Sequence, residues 1–160
     1  MLCTSFGFMK KSFFLATLIL MSLSCFAEDK KENKMRFDYK SQPDAFFKKN
    51  LKPEVYGVCR MHNTEPAGTG QYDKFYHKGV YYCACCGGDY PLYSSETKFD
   101  SGTGWPSFWA PFNDESVTLT QESYLLGLRS RTEVSCKRCG SHLGHVFDDG
   151  PKEHTGKRIA

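Results

Sequence analysis

Apolar positions along this chain follow a helical spacing only in a short stretch, and then give way to brief alternating runs. "PDAFFKKNL" (43–51) sets Phe46, Phe47 and Leu51 near helical spacing behind Pro43 and Asp44. "KPEVYGVCRMHN" (52–63) repeats the device. Pro53 stands where a first-turn N–H has no partner to lose, Glu54 sits at the positive end of the helix dipole, and Val55, Val58 and Cys59 occupy neighbouring positions. Two short helices joined by a tight turn are predicted. "PAGTGQYD" (66–73) ends any helix. Beyond it, "GVYYCACCG" (79–87), "SVTLTQES" (116–123), "RTEVSCKRCG" (131–140) and "SHLGHVFDDG" (141–150) are short and either aromatic and β-branched or alternating. The pattern predicts a mainly β chain: a small antiparallel β domain with short N-terminal helices.

The first residues stand outside that pattern. "MKKSFFLATLILMSLSCFAEDK" (9–30) has Lys10 and Lys11, an apolar run from Phe13 to Leu23, and then Cys25-Phe26-Ala27. The run is too short to span a bilayer comfortably, and small residues at Cys25 and Ala27 suit cleavage after Ala27. Residues 1–27 are expected to be a signal peptide, with Met9 a possible true start, and the product to be exported to a periplasm or secreted. An uncleaved anchor and a lipid-modified Cys25 are the competing readings; Ser22 fits the second poorly. "EDKKENK" opens a charged linker over 28–40, and the domain is expected over 41–160.

Composition narrows the function classes. The chain has 160 residues and a formal net charge of +3, enough for one domain and too mild a balance to imply nucleic acid. The basic residues are interspersed with acids, so a nucleic-acid zinc ribbon is disfavoured. A monomer with no membrane attachment after signal removal is expected.

Of the 8 cysteines, four form two C-x-x-C knuckles, Cys83/Cys86 and Cys136/Cys139, each followed by a glycine, Gly87 or Gly140. Four soft thiolates suit one tetrahedral zinc ion per chain, and a full set of four leaves no open position, which makes the site structural. A pair of disulfides is the alternative in an oxidising compartment. Cys85 is a third thiol inside the first knuckle and is assigned as packed or spare. With Cys3 and Cys25 removed in the signal, Cys59 and Cys85 are the thiols left for redox chemistry.

"KFDSGTGWPSFW" (98–109) gathers Trp105, Phe108 and Trp109 around glycines, either as an apolar pocket wall or as a turn with core aromatics. His142 and His145 follow the second knuckle, close to Asp149 and Arg158. Each histidine alone reads as structural; together with Asp149 and Arg158 they resemble a proton-handling cluster.

These motifs, with "NTEPAGTGQY" and "TGKR", resemble the B-type methionine-(R)-sulfoxide reductases over about residues 40–160. The resemblance implies two antiparallel sheets, a structural zinc, and thiol-dependent reduction of methionine-(R)-sulfoxide in proteins or peptides, a repair activity under oxidative stress. It implies that Trp105 packs the substrate methyl group with Phe108 in the same loop. It further implies that His145 serves as acid with His142 lining the pocket, that Asp149 positions its neighbours, and that Arg158 favours a thiolate. A thioredoxin-like reductant would reopen the resulting disulfide.

Two positions depart from the family pattern. Thr103 stands where many members carry a resolving cysteine; Cys59 in "YGVCR" matches the members that resolve from the N-terminal helix, and is otherwise a half-buried helix thiol. The nucleophilic cysteine is expected two residues after Arg158, where this chain has Ala160. The family's last strand is expected to be missing, leaving a sheet edge unpaired. A truncated reading frame, a non-catalytic zinc-stapled β module that binds methionine sulfoxide, and rescue by Cys59 or Cys85 are the competing accounts.

Overall fold

The two helices form where their first-turn residues and charge placement direct. A computed structural model describes residues 37–124 and 127–160, with helix α1 at Asp44–Asn50 and helix α2 at Pro53–Met61. Acidic Asp44 and Glu54 lie in the first turns, and basic Lys48, Lys49 and Arg60 in the last, each complementing the helix dipole. Phe47 is fully buried, a contribution of about 1.5–3 kcal/mol for a large apolar side chain. The Arg60 guanidinium lies 4.4 Å from its ring centroid and donates to Asp44 at 2.8 Å, so one side chain ties α2 back onto α1. Helix α2 stops at His62, which adopts a left-handed conformation with φ 56°. The expected signal peptide (1–27) and most of the charged linker (28–40) lie outside the described residues. Among the described residues, no helix is long and apolar enough to cross a membrane.

The remainder is β structure in two antiparallel sheets. Strands β1 (Val80–Tyr82) and β2 (Pro91–Ser94) pair with each other. The second sheet contains β3 (Lys98–Phe99), β4 (Ser107–Phe108), β5 (Val117–Tyr124), β6 (Arg129–Cys136), β7 (His142–Phe147) and β8 (Arg158–Ile159). Its spatial order is β3-β4-β8-β7-β6-β5. The predicted strand at 79–87 is shorter than expected: it ends at Tyr82, because the cysteines after it must turn rather than extend.

The β5–β6 hairpin runs in even register from Val117↔Cys136 to Tyr124↔Arg129. Between β6 and β7 the register shifts at Val134/Ser135, just before the second knuckle. Strand β8 pairs with β4 on one side and β7 on the other. Arg158 and Ile159 therefore lie inside the sheet, where an unpaired edge was expected. The ladder continues through Ala160, whose N–H donates to the His145 carbonyl at 3.1 Å and whose carbonyl accepts from the His145 N–H at 2.8 Å.

The core lies where the two sheets meet. The Phe108 ring stacks on Tyr93 at 4.4 Å and meets Tyr81 edge-on at 5.0 Å, joining β4 to both strands of the small sheet. Gly104 lets the aromatic loop close on the segment after α2. Its carbonyl accepts from the Gly68 N–H at 2.7 Å, its φ is 86°, and a Cβ there would lie 2.8 Å from the Gly68 nitrogen.

Candidate active site and metal centre

The two knuckles converge although about fifty residues separate them. Cys83 and Cys86 come from the turn after β1; Cys136 ends β6, and Cys139 lies in the turn that leads to β7. All four are buried, and their donor atoms lie within 4.8 Å of one another. Cys83 Sγ lies 3.8 Å from Cys139 Sγ, and Cys86 Sγ lies 3.8 Å from Cys136 Sγ. A metal–sulfur distance of about 2.3 Å in a tetrahedron requires sulfurs about 3.8 Å apart, whereas a disulfide requires about 2.0 Å. The array fits a thiophilic divalent ion, and the six described cysteines are free thiols. Gly87 (φ 94°) and Gly140 (φ 71°) turn the chain back just after each second cysteine, where the Gly88 and Gly140 N–H groups donate to the carbonyls of Cys83 and Cys136. The Ser141 hydroxyl, 3.3 Å from Cys139 Sγ, adds a polar partner to the sulfurs.

Cys59 and Cys85 meet beside this centre. Cys59 is on α2; the neighbouring Cys85 thiol, together with burial, raises the Cys59 pKa well above the ordinary thiol value, while Cys85, beside Cys59, is lowered. Cys85 is thus packed against a second thiol, and both are buried.

A cavity of about 780 Å³ opens on the other side of Cys59, lined also by Trp105, Phe108, His142, His145 and Ala160. Trp105 is held by its indole N–H, which donates to the Glu65 carbonyl at 2.9 Å. Arg158 is buried and grips Asp149 with two bonds of 2.8 and 2.9 Å, while its guanidinium lies 4.1 Å from the Phe147 ring centroid. The same contact holds the Asp149 carboxyl below the ordinary carboxylate range. Strand alternation puts Arg158 and Ala160 on one face, and the β7–β8 pairing adds Phe147 and His145 to it. Gly144 permits this closeness: a Cβ there would lie 2.1 Å from the Ala160 carbonyl oxygen.

The histidines differ in their surroundings. His142 is buried, and its Nδ1 donates to Glu133 Oε1 at 2.7 Å, since a carboxylate can only accept. His145 Nε2 is buried without a hydrogen-bond partner; its nearest acid is Glu122 Oε2 at 3.5 Å. Burial, followed by the positive charge of Arg131, lowers the His145 pKa, and Glu122 opposes the shift only in part.

A model of the SelR domain matches residues 51–160. The chain belongs to the MsrB family. It is 46% identical over 121 residues to the peptide methionine sulfoxide reductase MsrB of Hahella chejuensis, covering 76% of this chain and 84% of the relative. It is 50% identical over 105 residues to that of Pseudomonas syringae pv. syringae, covering 66% and 77%. The chloroplastic peptide methionine sulfoxide reductase B1 of Arabidopsis thaliana is 47% identical over 121 residues, 76% of this chain and 57% of the relative.

Within this MsrB chain, the four knuckle cysteines lie at the metal centre, Cys59, Trp105, Phe108, His142, His145, Arg158 and Ala160 line the cavity, and Asp149 binds Arg158 of its wall; Trp109 stacks on His154 outside the cavity. Four were missed: Glu133, Glu122, His62 and Glu65. Glu133 stands opposite His145 in the β6–β7 ladder, and Glu122 opposite Arg131 in the β5–β6 ladder, relations that need the strand register.

Two measurements check this MsrB site. Elemental analysis should find about one thiophilic divalent metal per chain, lost together with much of the thermal stability on Cys83→Ser or Cys139→Ser; a metal-free, fully stable chain would rule the centre out. Because the His145 pKa is lowered on folding from 6.5, the unfolded chain binds the extra proton first as pH falls. Stability should therefore drop as pH falls below about 6.5, and His145→Gln should shallow that slope in a melting series; an unchanged slope would contradict the assignment.

Proposed function

We propose that this domain is a methionine-(R)-sulfoxide reductase scaffold, disabled at the catalytic step because residue 160 is alanine. What supports the reading is the place of Ala160, hydrogen-bonded to His145 through both backbone groups and lining the cavity that holds Trp105.

The chemistry follows from those neighbours. The substrate methyl packs on the Trp105 ring, which selects the R epimer by shape. A thiolate at position 160 attacks the sulfoxide sulfur, and His145 gives a proton to the departing oxygen. The hydroxyl so formed passes to the attacking sulfur as the new sulfur–sulfur bond breaks, so methionine leaves and the enzyme keeps a sulfenic acid. Arg158, on the same face, favours the thiolate, with Asp149 fixing its guanidinium. The Cys59 thiol then attacks the sulfenic sulfur, releasing water and forming a disulfide, and a thioredoxin-like dithiol takes that disulfide back to two thiols. A methyl group at position 160 cannot begin this sequence. Ala160 equally favours a second reading, a zinc-stapled module that binds methionine sulfoxide without reducing it.

Cys83, Cys86, Cys136 and Cys139 would hold a zinc ion, which would be structural, since four sulfurs leave no open position for chemistry. The setting proposed with this reading is a monomer outside the cytoplasm, after removal of residues 1–27, with oxidised proteins as what the cavity would receive.

The test is an epimer-resolved assay with a racemic methionine sulfoxide peptide and dithiothreitol. The unchanged chain should be inert. Ala160→Cys, made with and without a full C-terminal strand from a relative, should reduce the R epimer on the order of 10⁴-fold faster. In that background Cys59→Ser should keep activity with dithiothreitol and lose it with thioredoxin. Turnover by the unchanged chain would overturn the disabling role of Ala160. R-epimer binding with no turnover in any variant would favour the binding module.

A further inference from the structure

A second cluster of metal-ligating side chains lies beside the cavity, away from the four cysteines. His62 ends α2, Glu133 lies within β6 and His142 begins β7. The two imidazoles converge on a single oxygen: His62 Nδ1 is 3.0 Å and His142 Nδ1 2.7 Å from Glu133 Oε1. Their ring centroids are 4.8 Å apart with planes tilted by 32°. All three donor atoms lie within 4.8 Å of one another.

This donor set is chemically distinct from the cysteine centre. Two imidazole nitrogens and a carboxylate suit a borderline divalent ion and leave a coordination position for water. Tetrahedral bonds of about 2.0–2.1 Å place donor atoms about 3.3–3.5 Å apart. The nitrogen–oxygen separations need to widen by about 0.3–0.8 Å to reach these values, which rotation of the Glu133 side chain supplies. The side chains of Glu133 and His142 are 13% and 6% exposed, against 58% for His62. One wall is therefore held by the sheet, while solvent reaches the cluster past His62. The left-handed backbone at His62, uncommon for a non-glycine residue, ends the helix where its ring can meet His142.

We propose that His62, Glu133 and His142 form a second, exchangeable metal site for a divalent transition ion such as Zn²⁺ or Co²⁺. The ion replaces the two imidazole protons that now bind Glu133, and no oxidation or reduction is involved. It links the end of α2 to β6 and β7. It also occupies His142, which lines the cavity, so on the reductase reading given above a bound ion would oppose sulfoxide binding.

The experiment does not depend on activity. The full chain, carrying its cysteine-bound metal and kept reduced, is titrated with Co²⁺ near neutral pH. One further equivalent should bind with a visible ligand-field band and no sulfur-to-cobalt charge transfer. His62→Ala should weaken that binding by about 100-fold or more, since partners one bond further from a metal are already worth 10–100-fold. His62 is exposed, so this variant does not endanger the fold, and Glu133→Gln should reproduce the loss. His154→Ala, a histidine stacked on Trp109, should leave binding unchanged. Absence of a second equivalent would overturn the site. So would binding that survives His62→Ala, or a charge-transfer band that disappears in Cys59→Ser.

Discussion

The architecture depends on four sulfur atoms that face one another across two turns, in two cross-turn pairs of 3.8 Å and all within 4.8 Å. One turn follows β1 of the small sheet, and the other joins β6 to β7 of the large one. The knuckles draw those sheets together at a point where a domain of this size has only a modest apolar core to do so. Phe108 extends the contact by stacking on Tyr93 and meeting Tyr81 edge-on, but each ring needs the sheets already facing one another.

The cavity is a consequence of that junction. Strand β7 leaves the second knuckle carrying His142 and His145, and β8 lies against it so that Arg158 and Ala160 share a face. From the other direction, the loop after β3 brings in Trp105, held through Glu65 and through the close approach of Gly104 to Gly68. Helix α2 closes the remaining side with Cys59. Four segments far apart in sequence thus present an aromatic wall, two imidazoles and a thiol to one space, with a methyl group where a nucleophile would complete it. Membership of the MsrB family and the lack of a thiol at position 160 are separate facts, because the scaffold forms without that sulfur.

Much of the fold was legible where chemistry is local. The helix starts at Asp44 and Pro53 followed from a proline at or just before the first turn and an acid within it, and the knuckles from spacing and glycine. The two-residue strands β3, β4 and β8 were not, because periodicity needs more residues than they contain. The exposed edge expected at the tail also failed: β8 is flanked by β4 and β7, an order that no adjacent residues encode. Glu133 passed unnoticed as one polar position in an alternating strand, until its register brought it opposite His145.

By itself, the sequence determined the kinds of donor and acceptor available: paired thiols, an aromatic glycine loop, two histidines near an arginine, and alanine at position 160. These are written in bonded spacing, which acts over a few residues. Tertiary structure alone decided which of them meet. It set Cys59 against Cys85 rather than against solvent, turned His62 onto the carboxylate that His142 uses, and seated β8 within the sheet. Those pairings arise from strand register and from the packing of α2 on the sheet, and both are settled by the burial of surfaces distant in the chain.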